Sequence, residues 1–126
     1  MKISTVLAIA PIVLAMSATA EAACVYPQAP QSLPNGSQAT EAEMKAANAQ
    51  VKEYSKTVQE VYLACLEQEK NDAVAALDGQ DPEYAAKKTS LESIHAKKHN
   101  AALDELQALA VRWNGEIKAF KEKAAK

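Results

Sequence analysis

From position 40 to position 65, apolar residues recur at steps of three and four: Met44, Ala47, Val51, Tyr54, Val58, Val61 and Cys65. That spacing lays one continuous seam along an α-helix. Past Cys65 the seam lands on Gln68 and Asp72, and the apolar stripe slides to Leu66, Ala73 and Leu77. A second stripe runs through Tyr84, Leu91, Ile94, Ala102, Leu106, Leu109, Trp113, Ile117 and Phe120. The pattern predicts two helices, at about 40–78 and 82–124. Thr40 and Glu43 in "TEAE" form a capping box for the first. Gly79 is expected to stop it in the left-handed conformation. Asp81-Pro82 then opens the second, with Asp as N-cap and Pro in the first turn.

A connection of about four residues forces the helices antiparallel. The expected fold is all-α: a long antiparallel two-helix hairpin over 40–126. With the turn centred near Gly79 and Gln80, Cys65 is expected near Ile94, Val51 near Leu109 and Ala47 near Trp113. Each stripe is wider than one contact line, because Val61, Tyr62 and Leu66 flank the first seam and Leu103 flanks the second.

Before the first helix the pattern changes to "CVYPQAPQSLPNGSQ", with Pro27, Pro30 and Pro34. Proline fixes φ and removes donors, so residues 23–39 read as an extended arm. In "PNG", Asn35 or Gly36 is expected to take a positive φ. Still earlier, Lys2 precedes the apolar run "TVLAIAPIVLAM", which is too short for a bilayer span of ~20 residues. Small residues follow, so 1–22 reads as a secretory leader. Cuts after Ala20 and after Ala22 both fit, and the latter is favoured. Glu21 stands where a lipoprotein leader carries an apolar residue, so a lipid anchor on Cys24 is disfavoured. The mature chain is expected in the periplasm or secreted.

Cys24 and Cys65 are the chain's two cysteines, and in an oxidising compartment they read as one disulfide. The reach permits it. Cys65 lies about 36 Å along the first helix, and the sixteen residues from Cys24 to Thr40 span about 50 Å when extended. The arm would fold back along the hairpin and lay Val25, Tyr26, Pro30 and Leu33 into the groove between the helices as a third layer.

The series C-V-Y-P, P-N-G, A-x-x-x-E-M and Y-L-A-C-L, followed by H-N-A-A-L-D-E-L, resembles uncharacterised small secreted helical proteins of proteobacteria. Those carry an N-terminal Cys/Pro-rich arm and a second cysteine in the first helix. The resemblance spans the whole mature chain. It implies export and paired cysteines, and it implies no activity.

Charge and composition narrow the function classes. Losing Lys2 and Glu21 with the leader leaves the net charge at −2, which argues against nucleic acid. Alanine supplies much of the apolar content and aromatics are sparse, which favours closely packed helices over a thick core. The most suggestive chemistry is "LESIHAKKHNAAL". Glu92, His95 and His99 share one helix face, and Glu60 is expected opposite His99 as a further metal ligand. A solvated helix face accounts for the same residues. Ser90 and Ser93 lie near His95, but no loop presents a nucleophile. Gln68, Asp72, Lys88 and Lys98 are expected near the hairpin tip, with a cross-helix Asp72–Lys88 pair.

The expected function is that of a non-catalytic exported binding or structural protein that requires no cofactor. Its partner is expected to be a second copy, as a homodimer, or an envelope protein. The alternative is a divalent-metal binder using His95 and His99.

Overall fold

The computed structural model describes residues 23–126; the expected leader, 1–22, lies outside them. The arm, residues 23–39, is extended and leads into α1 (Glu41–Lys56). A π-helical stretch (Thr57–Tyr62) and α2 (Leu63–Ala75) continue the same rod. After a connection over 76–83, α3 (Tyr84–Ala124) runs 41 residues, about 62 Å. Trp113 donates to Asn48 at 3.3 Å and Lys98 to Glu69 at 3.0 Å, so the rods are antiparallel. The fold is the expected all-α hairpin with its arm tethered by a Cys24–Cys65 disulfide.

The π-helical stretch solves a phase problem. The buried residues of the first rod are Met44, Ala47, Val51, Tyr54, Val58, Tyr62 and Leu66. From Tyr54 onward they step by four, and each such step drifts about 40° around an α-helix. The wider turn, in which the Leu63 N–H reaches the Val58 carbonyl, rotates less per residue and cancels that drift. The seam therefore runs Val58–Tyr62–Leu66, not Val58–Val61–Cys65. Val61 turns outward and is 63% exposed, and Cys65 moves to the flank where the arm arrives.

Two further expectations are corrected. No glycine has a positive φ. The first rod ends on Ala76 in the right-handed region, not on a left-handed Gly79. In "PNG" the turn is held by Asn35, whose Oδ1 accepts from the Ser37 N–H at 3.0 Å and whose carbonyl accepts from Ala39 at 2.8 Å. Gly36 serves space instead of dihedral freedom: a Cβ there would sit 1.9 Å from the Glu116 carbonyl oxygen.

The register also shifts. Glu69 meets Lys98, where the hairpin estimate put Ser90. The connection, 76–83, is longer than four residues, while at the other end of the rods Trp113 meets Asn48, next to the expected Ala47. Ile94 is consequently 48% exposed, and His95 takes the core position beside Leu66. Asp81 is not the N-cap: it accepts from the Glu83 N–H at 2.8 Å in a turn that precedes the helix, whose N-cap is Glu83 without a side-chain hydrogen bond.

Leu109, Val58 and Ala102 are the deepest of the core residues. Tyr26, Ala29 and Leu33 of the arm pack against that core as the third layer, while Val25 points to solvent. α3 packs most closely on α2; toward its far end the arm fills in, and Gly36 seats on Glu116. The capping box at Thr40 and Glu43 forms as expected.

Candidate functional site

Two features concentrate polar chemistry. The first is the clasp that holds the arm. Cys24 and Cys65 are bonded with Cα atoms 5.8 Å apart. One turn beyond Cys65, Glu69 points back at the junction. Its Oε1 accepts from Lys98 Nζ at 3.0 Å and lies 3.8 Å from His95 Nε2. Its Oε2 faces the Cys24 N–H at 3.5 Å, the outer limit of a hydrogen bond. The Lys98 hydrogen bond, foremost, holds the Glu69 carboxyl below its usual range.

Two residues along the arm, the Tyr26 ring stands edge-on to Tyr62 at 4.8 Å and to Tyr54 at 6.5 Å. The Tyr26 and Tyr54 hydroxyls are 2.6 Å apart. Burial, then the bonds to Tyr54 and Glu105, push the Tyr26 phenol well above its ordinary range. Tyr26 therefore anchors the arm to the first rod through Tyr54 and Tyr62. Glu69 and Gly36 were missed as arm contacts by sequence reasoning. The signal for Glu69 was its place one turn after Cys65 on the same face.

The second feature is a cleft between α2 and α3, to which the arm contributes nothing. Glu92, His95 and His99 line it together with Leu66, Glu67 and Lys70. Glu60 is not there. It is exposed and faces Lys56 at 4.0 Å on its own rod. The shifted register puts Glu67 beside His99 instead. His95 is buried, its Nδ1 enclosed without a hydrogen-bond partner and its Nε2 turned to Glu69. The two imidazoles thus share a cleft in which His95 is turned toward Glu69. Among the described residues no three His, Cys, Asp or Glu side chains converge as a metal cage. Zinc calorimetry at neutral pH is expected to show weak heats that His95→Ala leaves unchanged. Tight one-to-one binding abolished by that substitution would establish the metal reading.

The remaining candidates disperse. Ser90 and Ser93 line a separate surface groove of α3 with Ile94 and Lys97. Asp72 accepts from Gln68 at 2.7 Å and Lys88 faces Glu92 at 3.9 Å, so the expected Asp72–Lys88 pair is replaced by Glu69–Lys98 across the helices.

No protein-family model, curated protein or solved structure matches the chain.

Proposed function

We propose that the chain is an exported, non-catalytic helical protein that works by presenting its outer faces to a partner, first of all a second copy of itself. The observation that carries this reading is the apolar surface left outside the clasped core. Val61, Ile94, Leu103 and Val111 are each at least 42% exposed. The arm packs on the core through Tyr26, Ala29 and Leu33 and takes no part in lining the cleft between α2 and α3. The disulfide supports export, because such bonds persist in oxidising compartments. Among the described residues no helix is long and apolar enough to cross a membrane.

Burying about 600 Å² of apolar surface per chain would contribute on the order of 15 kcal/mol gross. Lost translational freedom and side-chain ordering offset much of it, which leaves affinities near micromolar. Sedimentation over a hundredfold concentration range is expected to show a monomer–dimer equilibrium that Leu103→Glu shifts toward monomer. A strict monomer up to about a millimolar, roughly 4 kcal/mol of affinity, would exclude the second copy and point to an envelope protein instead.

A further inference from the structure

Glu69 is built as if to receive one more positive charge. A carboxylate offers about four acceptor positions. Here Oε1 is taken by Lys98 at 3.0 Å, while Oε2 has only the long contact to the Cys24 N–H at 3.5 Å. The carboxylate is held in place, since its side chain is two-thirds covered and Lys98 pins its other oxygen. The nitrogen of Ala23 is one backbone step, about 3 Å, from that of Cys24. In an unprocessed chain that nitrogen is a neutral amide. In a chain cut after Ala22 it is an ammonium.

We propose that Glu69 is the seat of the mature amino terminus: cleavage between Ala22 and Ala23 frees an α-ammonium that pairs with Glu69 Oε2 beside the disulfide. This rests on the export reading and deepens it by choosing one cut. The cleavage is a peptide hydrolysis, with water supplying the carboxylate of the leader and the new amine of Ala23. The cut after Ala20 is disfavoured at this seat, because it leaves the Ala23 nitrogen a neutral amide and puts the ammonium two residues farther from Cys24. The titratable groups gathered at this seat are Glu69 from the first rod and Lys98 and His95 from α3. Glu69 is the one anion among them. Processing and oxidation then fasten the same point of the arm, one by charge and one covalently, and both happen only after export.

The sign of the pH dependence follows. An α-amine titrates ordinarily near about 8. A carboxylate partner in the folded state raises that value. The added stability is present in full below the unfolded amine's pKa and is lost as pH rises through the folded one.

The test uses the protein exported with its own leader and purified from the periplasm. Intact mass and amine-specific labelling identify the first residue, and labelling rate against pH titrates the amine. The expected result is a chain beginning at Ala23 whose amine titrates about half a unit or more above the ordinary value. Glu69→Gln should return it to the ordinary value. Lys98→Gln, which keeps the carboxylate, should leave it raised, so loss of the cross-helix pair is separated from loss of the seat. A chain beginning at Glu21, or one beginning at Ala23 whose amine titrates alike in wild type and Glu69→Gln, overturns the proposal while leaving export intact. A chain that retains residues 1–22 in the cytoplasm overturns the export reading itself.

Discussion

Replacing both cysteines by serine is expected to cost about 4 kcal/mol, the loop-closure value for a bond spanning 41 residues. Against a total stability of roughly 5–15 kcal/mol that is a large fraction. For a domain of this size each kcal/mol moves the melting temperature by about 4–8 °C, so a fall of some 16 °C or more should appear. The loss should be uneven. The clasp fixes the end of the arm farthest from its junction with α1, so its release frees Tyr26 and uncovers Tyr54 and Tyr62. Limited proteolysis should then cut within residues 24–36 while α3 stays intact. Thermal melts of the double variant, and of the wild type with and without reductant, are the measurement. Equal melting temperatures and equal cleavage would show that the arm docks without its clasp.

Gly36→Ala is expected to be the most costly change of a single methyl group, at about 3 kcal/mol. The added Cβ would meet the carbonyl oxygen of Glu116 at 1.9 Å, its carbon at 2.8 Å and the Phe120 nitrogen at 3.0 Å. All three are backbone atoms inside a long helix, so none can swing away as a side-chain tip could. The turn must lift instead. It then gives up the Gly36 N–H bond to Glu116 Oε2 at 2.7 Å, the Lys123 bond to the Ala39 carbonyl, and the burial of Ala39. Adding Glu116→Ala should not restore stability, because the clash is with the main chain. A melting temperature within 2 °C of wild type would mean that the turn relaxes without undocking. With the disulfide kept, the cleavage sites should fall in 33–39 and not near Cys24, which distinguishes the two ends of the arm.

What the sequence made legible was whatever depends on local spacing. The two rods and the Thr40 capping box follow from residue types at fixed offsets, and the cysteine pair from there being two cysteines within the arm's reach. What it concealed depends on how the rods meet. Nothing in "TVQEVY" marks a π-helical stretch except four-residue steps, and in an apolar run those read equally as an ordinary seam with Val61 inside. That one-residue choice decides whether Val61 or Tyr62 enters the core, and it sends Cys65 to the arm's flank. The longer connection between the rods likewise exchanged Ile94 for His95 and Glu60 for Glu67, dissolving the predicted ligand set. Gly36 was read as a residue needing a rare dihedral. A glycine chosen for dihedral freedom and one chosen for close approach look alike until the facing backbone is known.

The covalent ring from Cys24 through the arm and first rod to Cys65 also sets how the molecule carries tension. A pull applied at the amino terminus passes through the disulfide directly into the backbone at Cys65. Residues 25–64 bear none of it, so the tyrosine cluster and the π-helical turn sit off the load line. Only the stretch after Cys65, through the hairpin turn and along α3, can be drawn out while the bond is closed. A chain gripped near its start would keep the length of its arm and first rod out of the pulled path, and would yield that length only after reduction.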